Sequence, residues 1–255
     1  MDTSSELATQ TRVSSQSAKH EIDWDAYASQ YDLLATNNPA YRENIELLRE
    51  MIPSFDLPSN PRILDIGAGT GNFICALAQD LEGASFVHLD FDEEMNEVAK
   101  KKYEHAGIEK VEVHCCPASE AAYLAESFDL IVCINALYAI HPREDVLKRV
   151  RSWLKPNATF FVIDFGRQYK SLDWGKYILG NVLRERGLVE CVRFFVSVFE
   201  TARQNRRGAQ GQADGLYWTH STSEFGRTLE GAGFDVRHLS TCYREYCDLA
   251  VCRIR

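Results

Sequence analysis

A short apolar run leads directly into a glycine-rich turn at Ile63-Leu64-Asp65-Ile66-Gly67-Ala68-Gly69-Thr70-Gly71. The apolar residues favour a β-strand, and the residues from Gly71 to Leu81 favour a helix. Glycines allow a sharp turn in which the backbone approaches a ligand without Cβ atoms in the way. A strand, a glycine turn and a helix in this order therefore predict a ligand-binding turn in an α/β fold.

The spacing of the glycines separates two classes of ligand. A dinucleotide site has the pattern Gly-x-Gly-x-x-Gly, whereas this turn has Asp65-x-Gly67-x-Gly69-x-Gly71 and continues with Asn72. An acidic residue two positions before the first glycine suits a cofactor with a positively charged amino-acid end better than a pyrophosphate. The pattern therefore favours such a cofactor over NAD.

Asp90 supports the same interpretation from further along the chain. It ends the second predicted strand, nineteen residues after Gly71, where nucleotide-binding α/β folds place a carboxylate that binds the ribose hydroxyls. The alternative is that Asp90 only ends a strand or caps a helix. The glycine turn at this distance upstream favours the ribose contact.

Short apolar runs alternate with amphipathic stretches from about residue 60 onward. The predicted strands are Arg62–Ile66, Ser85–Asp90, Lys110–His114, Phe128–Ile134 and Ala158–Asp164. The helical stretches between them are Gly71–Leu81, Glu93–His105, a short piece at Ser119–Leu124, and Arg143–Leu154. Strands that alternate with helices predict a mainly parallel sheet with helices on both faces.

The C-terminal part predicts a different connection. A helix over Ser221–Ala232 is followed by two strands, Phe234–Ser240 and Glu245–Arg253. A connection of about four residues joins the two strands. So short a connection allows an antiparallel hairpin but not a helical crossover. The sequence therefore predicts an α/β fold with a Rossmann-like sheet of seven strands, mostly parallel, with an antiparallel C-terminal hairpin.

Further segments surround this predicted sheet. Residues 1–20 have little apolar surface and are expected to form a disordered tail, and residues 21–56 are expected to form an N-terminal helical lid. Residues 57–255 form the Rossmann-like domain, with a helical insertion at 167–220 that we call the cap insertion. It is expected near the strand ends where open α/β sheets bind ligands. Its predicted contents are two helices and a glycine- and glutamine-rich loop: Leu172–Arg186, Leu188–Arg203 and Arg207–Gly215.

The composition limits the classes of function. The 255 residues include 37 acidic and 28 basic side chains, so a general electrostatic grip on nucleic acid is not expected. The chain has no apolar run near the ~20 residues of a membrane span, and no secretory signal pattern. Its eight cysteines form no C-x-x-C pair, which favours reduced core residues of a cytoplasmic protein without a metal site.

With the glycine turn and Asp90, the chain resembles the class I S-adenosylmethionine (SAM)-dependent methyltransferases. The resemblance covers residues 24–165 and, in outline, residues 221–255. It implies that Asp65 lies near the methionine amino group and that the glycine turn forms the floor beneath the cofactor. The cofactor-binding residues that it implies are Tyr27, Tyr31, Asp65, Gly67, Ala68, Gly69, Gly71, Asp90, Phe91, Met95, Ala118, Ser119 and Asn135.

Several of these residues have specific expected contacts. Phe91 and Met95 would flank the adenosine, and Ala118 and Ser119 follow the third strand, where the family contacts adenine. Pro117 stands where the family often has an acidic residue. Ser119 or a backbone carbonyl would therefore supply the contact to the adenine amino group.

The resemblance also implies contacts near the reaction centre. Asn135 would face the methionine moiety, and Tyr138 the reaction centre. Tyr27 or Tyr31 would hydrogen-bond the cofactor carboxylate, and the alternative is that both are core aromatics at helical spacing. Asn135, Tyr138 and His141 are therefore the catalytic candidates.

Methyl transfer is an in-line displacement at the sulfonium-bound methyl, for which an enzyme mainly positions the partners and excludes water. If the acceptor must lose a proton, a general base is needed. His141 is the first candidate, and the alternative is that it is a surface residue at the start of a helix. Asp164, Asp173 and His220 are further candidates.

The sequence thus predicts a cytoplasmic enzyme, monomeric or homodimeric, that transfers a methyl group from SAM to a small molecule. Nucleic-acid, membrane and metal partners are not expected. One alternative is an enzyme that cyclises SAM through its own amine, giving azetidine-2-carboxylate and methylthioadenosine. The other alternative is a non-catalytic SAM-binding protein.

Overall fold

The computed structural model describes residues 21–24, 28, 31–32, 35, 37–197 and 199–254. The predicted tail and Tyr27 lie outside these residues. Within the predicted lid, positions 24, 28, 31, 32, 35 and 37 are helical. The chain then continues into a first fully described helix.

The described helices are α1 Pro39–Met51, α2 Asn72–Asp80, α3 Glu93–Ala106, α4 Arg143–Trp153, α5 Ser171–Ser197, α6 Phe199–Ala213 and α7 Thr222–Gly231. Short 3₁₀ turns cover Ile52–Ser54 and Leu137–Ala139. The described strands are β1 Arg62–Ile66, β2 Ser85–Asp90, β3 Val111–Cys115, β4 Phe128–Ile134, β5 Leu154–Phe165, β6 Phe234–Cys242 and β7 Cys247–Ile254.

These strands form one seven-stranded sheet in the order β3-β2-β1-β4-β5-β7-β6. The first five strands pair in parallel, and β7 runs antiparallel between β5 and β6. β5 begins already at Leu154, which pairs with Phe128 before a register shift. The predicted Rossmann-like sheet with an antiparallel C-terminal hairpin is confirmed.

The sheet is covered on both faces because its central strands are apolar on both sides. In β4, Leu130 and Val132 belong to one buried cluster, whereas Ile131 and Cys133 belong to the other. The first cluster includes residues of α1, α2, α3 and the cap insertion, and the second includes residues of α4 and α7. Alternating side chains of a strand thus serve two layers.

Local signals determine where the helices between the strands begin and end. The Asp92 side chain accepts a hydrogen bond from the Met95 N–H at 2.8 Å where α3 begins. α3 ends at Gly107 in the left-handed region (φ 68°). α7 begins with a capping box between Ser221 and Glu224. These caps fix where the chain leaves β2 and where it returns from the cap insertion.

The predicted short helix at Ser119–Leu124 is wrong. These residues form a turn followed by an irregular segment. So short a segment gains little from helical hydrogen bonds. Tyr123 instead packs edge-on against Phe128 and Trp153, with ring centroids 5.2 and 4.9 Å apart.

The predicted loop at Arg207–Gly215 is also wrong, because helix α6 continues to Ala213. The glycines that suggested a loop serve packing instead. A Cβ on Gly208 would lie 3.1 Å from Ile22 Cδ1, so the missing side chain lets α6 approach the N-terminal segment. The predicted break between two cap helices is present within α5, at Gly187 (φ 81°, ψ 178°).

Candidate functional site

The three glycines of the turn after β1 all have positive φ, and each serves a different need. A Cβ on Gly67 would lie 2.3 Å from Ala136 Cβ in the loop after β4, and one on Gly71 would lie 2.3 Å from Tyr103 Oη. A Cβ on Gly69 would meet no atom of the described residues within 4 Å. Gly67 and Gly71 therefore permit close packing around the turn, whereas Gly69 borders open space.

Asp90 joins this turn to the neighbouring strand end. Its Oδ2 accepts a hydrogen bond from the Gly69 N–H at 2.8 Å, and its Oδ1 accepts one from the Asp92 N–H at 3.0 Å. Burial raises the pKa of Asp90, although these backbone donors act in the opposite direction. The helix-capping role belongs to Asp92, so the capping alternative for Asp90 is wrong.

A cleft opens beside the turn, with about 1100 Å³ of empty space that is partly open to solvent. We call it the glycine cleft. Predicted residues that line it are Tyr31, Gly67, Gly69, Asp90, Phe91, Met95, Ala118, Ser119, Asn135 and His141. Lining residues that the sequence reasoning did not assign as binding residues are Trp24, Leu89, Asp92, Cys116, Pro117, Ile134, Ala136, Ala139 and Ile140. Most of these residues directly follow β2, β3 or β4. Their position after a predicted strand could therefore have identified them from the sequence.

Four of the predicted cofactor-binding and catalytic residues that the structure describes lie outside this lining. Asp65 at the end of β1 and Ala68 and Gly71 in the turn itself are absent from the lining, and Tyr138 lines a second cavity. Asp65 is 1% exposed, and neither of its carboxylate oxygens has a hydrogen-bond partner among the residues that the structure describes. Burial, together with the charge of Asp90, raises the pKa of Asp65 to about 8.

The second cavity adjoins the glycine cleft and has about 770 Å³ of empty space, partly open to solvent. We call it the aromatic cavity. Its described lining consists of Ile22, Trp24, Tyr31, Ala35, Asn38, Tyr41, Asn135, Tyr138, Phe165, Tyr169, Asn205, Gly208, Ala209, Gln212 and Tyr243. Trp24, Tyr31 and Asn135 line both spaces.

Asn135 is held firmly in this shared wall. Its backbone adopts φ 56°, and its N–H donates to the Ile163 carbonyl at 2.7 Å. The Cys247 thiol donates to its Oδ1 at 3.6 Å. Tyr138 follows three residues later, and its ring packs edge-on against Phe165 and Tyr217 at 5.7 and 5.4 Å.

The described lining of the aromatic cavity contains no Asp, Glu, Lys, Arg or His side chain. Burial raises the pKa of Tyr31, Tyr41 and Tyr169, so these hydroxyls stay neutral. Asn205 donates to the Tyr169 hydroxyl at 3.4 Å, and Gln212 accepts from the Tyr169 N–H at 2.8 Å. The cavity therefore offers aromatic faces, hydroxyls and amides.

None of the four predicted general bases lies in this described lining. His141 is exposed at the glycine cleft, with Nε2 3.2 Å from the Leu216 carbonyl oxygen. Asp173 accepts a hydrogen bond from the Tyr246 hydroxyl at 3.1 Å. Asp164 and His220 are fully buried and face each other.

Within the residues that the structure describes, no group of His, Cys, Asp and Glu side chains could hold a metal ion. No helix in that part of the chain is long and apolar enough to cross a membrane. All eight cysteines are free thiols. Cys133, Cys242, Cys247 and Cys252 are buried as predicted, whereas Cys115 is exposed.

Residues 63–157 match a family model described as a methyltransferase domain. The chain is 30% identical over 169 residues to the highly reducing polyketide synthase pspA of Penicillium soppii, covering 62% of this chain and 6% of that protein. It is also 30% identical over 144 residues to the uncharacterized methyltransferase YcgJ of Bacillus subtilis (strain 168), covering 51% and 55%. The chain thus spans less than two thirds of either relative.

The fold is similar to a solved structure of phosphoethanolamine N-methyltransferase 2 of Haemonchus contortus in complex with SAM. The TM-score is 0.58 and the identity 18%, over 85% of this chain and 43% of that chain. The ligand named there is the cofactor that the sequence predicts here. The family match and the fold together confirm the resemblance to class I SAM-dependent methyltransferases.

Replacing Gly67 by alanine should destabilise the protein more than the same change at Gly69. Both changes place a Cβ on backbone with positive φ, which costs about 1 kcal/mol or more. Only at Gly67 does the new Cβ meet Ala136. Thermal unfolding followed by circular dichroism should give G67A a Tm roughly 5 °C below that of G69A. Equal Tm values would contradict this account of the turn.

Asp65→Asn should stabilise the protein in a pH-dependent way. Because burial raises the pKa of Asp65 from 3.8 to about 8, the folded wild type loses stability as the pH rises from about 4 to about 8. Asparagine does not titrate, so the Tm of D65N minus that of the wild type should be larger at pH 8 than at pH 5. Asp56→Asn, at a side chain that is 82% exposed, is the control and should show no such trend. An equal Tm difference at both pH values for D65N would refute the prediction.

Proposed function

We propose that the glycine cleft binds SAM and that the aromatic cavity holds a small-molecule acceptor of its methyl group. The observation that carries the proposal is the wall formed by Trp24, Tyr31 and Asn135, which lines both spaces. In-line displacement requires the methyl carbon and the attacking atom to lie adjacent and aligned. With SAM in the glycine cleft and the acceptor in the adjoining aromatic cavity, the methyl carbon and the attacking atom would meet at this shared wall.

The described residues of the glycine cleft fit SAM. Asp90 keeps lone pairs for the ribose hydroxyls beyond its two backbone hydrogen bonds. Phe91 and Met95 border the space proposed for adenosine, and Gly67 and Gly69 border it without Cβ atoms. Bound SAM would supply a methyl group on a sulfonium, which is already a strong electrophile. The chain would contribute binding, orientation and exclusion of water.

The remaining cofactor contacts follow from the lining of the cleft. Ala118 and Ser119 would contact the adenine, and Asn135 would face the methionine end. Asp65 would attract the positively charged end of SAM through its charge and without direct contact, because a cation in the cleft favours the ionised form of a nearby carboxyl. Ala68 and Gly71, which are absent from the lining, would shape the turn without touching the cofactor.

The aromatic cavity favours an acceptor that is uncharged or cationic. Tyrosine rings attract planar groups and cations, whereas a phosphate or carboxylate would meet no cationic side chain in the described lining. The predicted lid contributes Ile22 and Tyr31, and the cap insertion contributes Tyr169 and Gln212. These two segments would exclude water from opposite sides of the acceptor.

The same lining bears on the nucleophile. The polar side chains in the described lining are neutral tyrosines and amides, which are weak proton acceptors. The described lining therefore offers the acceptor no general base. An atom that is nucleophilic without deprotonation, such as a neutral amine or a thioether, therefore fits better than an alcohol. His141 would serve as base only for an acceptor that reaches into the glycine cleft.

One observation favours the cyclisation of SAM as a second candidate function. The pKa of Asp65 is raised to about 8 by burial, so a protonated Asp65 would leave the amine of SAM without a carboxylate to hold it as ammonium. The free amine could then attack the γ-carbon of the same SAM molecule. A C–N bond would form as the C–S bond breaks, and azetidine-2-carboxylate and methylthioadenosine would result after loss of a proton from the nitrogen. The aromatic cavity favours the first proposal, because cyclisation needs no acceptor space.

The products formed from SAM separate these proposals. We expect S-adenosylhomocysteine (SAH) only when SAM is incubated with the protein and a small-molecule extract, with mass spectrometry as the readout. Ala209→Trp is the matched variant, since a large side chain in the aromatic cavity should abolish transfer and leave SAH binding unchanged. Methylthioadenosine from SAM alone would establish cyclisation instead. SAM binding without either product would favour a non-catalytic protein.

Asp90→Ala should weaken SAH binding by roughly 1.5–3 kcal/mol, the range for hydrogen bonds to charged groups. Isothermal titration calorimetry measures this affinity. Asp92→Ala is the control, because Asp92 borders the same cleft but caps α3. It should lower the Tm and change the affinity less than Asp90→Ala does. Unchanged affinity in D90A would overturn the proposed ribose contact.

A further inference from the structure

Two buried carboxylates face each other at the carboxyl end of β5. Asp164 on β5 pairs in register with Asp248 on β7, and neither side chain is exposed to solvent. Like charges directly opposite on neighbouring strands destabilise a sheet, and buried charges need partners. This pair therefore requires cations between or beside its members.

Those cations come from the two ends of the cap insertion. Arg167, its first residue, contacts Asp248 through Nη1 and donates from Nη2 to Thr222 Oγ1 at 2.8 Å. His220, its last residue, has Nδ1 3.1 Å from Asp248 and Nε2 3.5 Å from Asp164. Burial alone would lower the pKa of His220, but the two carboxylates raise it overall. Burial raises the pKa of Asp164, whereas His220 and Arg143 act in the opposite direction. With both carboxyls ionised and His220 protonated, the charges of Asp164 and Asp248 are matched by those of Arg167 and His220.

The same cluster reaches the wall of the aromatic cavity through backbone hydrogen bonds. Asp164 Oδ1 accepts a hydrogen bond from the Tyr138 N–H at 2.9 Å. The Tyr138 carbonyl in turn accepts one from the Trp218 N–H at 3.0 Å, and the His220 N–H donates to the Gly166 carbonyl at 2.8 Å. The loop after β4 and the return of the cap insertion are thus tied to one carboxylate pair.

We infer that Asp164, Arg167, His220 and Asp248 form a charge clamp that fixes both ends of the cap insertion and thereby positions Tyr138 in the aromatic cavity. His220 is then a positioning residue and not a general base, since its buried ring is absent from the described lining of either cavity. The consequence for catalysis rests on the proposed function, whereas the clamp itself is a property of the ligand-free protein.

A charge-balance cycle tests the clamp. His220→Gln leaves an unbalanced negative charge, and Asp164→Asn leaves an unbalanced positive charge. The double variant restores balance, and an asparagine oxygen can still accept the Tyr138 N–H. Each single variant should speed amide exchange in residues 135–141 and in α6 by about tenfold or more. The double variant should exchange more slowly than either single variant.

Hydrogen exchange read by mass spectrometry measures these effects, with His238→Gln as the control. His238 lies exposed on β6 and contacts Ser240, so its replacement should leave exchange in both segments unchanged. The proposal is overturned if amide exchange in H220Q is as slow as in the wild type. It is also overturned if the double variant exchanges faster than H220Q, so that the effects of the two substitutions add. The second outcome would mean that His220 only packs against Phe225. If H220Q does not fold, folding of the double variant supports the clamp and its failure to fold overturns it.

Exchange in the free protein does not depend on SAM, so this test is separate from that of the proposed function. SAH titration of the wild type tests cofactor binding by itself. In H220Q we expect SAH to bind about threefold or more weakly, because the loop after β4 borders both spaces. Wild-type binding of SAH combined with unchanged exchange in H220Q would overturn the clamp alone.

Discussion

The Gly69 N–H donates to the Asp90 carboxylate across the tips of β1 and β2, and the glycine cleft is built around this hydrogen bond. Asp90 also accepts a hydrogen bond from the N–H of Asp92, the residue that caps α3. The strand order runs from β1 toward β2 on one side and toward β4 on the other. The cleft therefore opens at the switch point where open α/β sheets bind ligands. Gly67 completes this arrangement because its missing side chain lets Ala136 approach from the far side.

Much of this arrangement could be predicted because its signals are local. The apolar runs of β1, β2 and β4 give the same bounds in the sequence and in the structure. The glycine turn and Asp90 occupy fixed positions after two of these strands, and neighbouring parallel strands end at one edge of the sheet. A residue whose place follows from strand position could thus be assigned to the glycine cleft without knowledge of its contacts.

Other features depend on contacts between distant parts of the chain, which no local pattern records. The aromatic cavity combines the N-terminal segment, the loop after β4, helix α6 and the turn between β6 and β7. Arg167 and Asp248 are 81 residues apart in sequence, and each alone looks like an ordinary charged residue. The glycines near Gly208 suggest a loop by composition, whereas packing against Ile22 explains their place in a helix. The acidic residue Asp65 is conspicuous in the sequence, but only the structure reveals its burial.

Two buried acidic groups thus take different roles on the same sheet. Asp65 has no hydrogen-bond partner among the described residues, and burial and the charge of Asp90 raise its pKa. Asp164 instead lies beside His220 and accepts a hydrogen bond from the Tyr138 N–H. In the proposed function, Asp65 contributes to cofactor binding through its charge, whereas the charges at the ends of the cap insertion set the shape of the aromatic cavity.

A crystal structure of the protein with SAH tests the central claim most directly, because it locates both ends of the cofactor. The ribose hydroxyls should lie within hydrogen-bond distance of Asp90, and the sulfur should lie beside Asn135, facing the aromatic cavity. SAH bound elsewhere, or bound in the glycine cleft with its sulfur facing away from the aromatic cavity, would contradict the account.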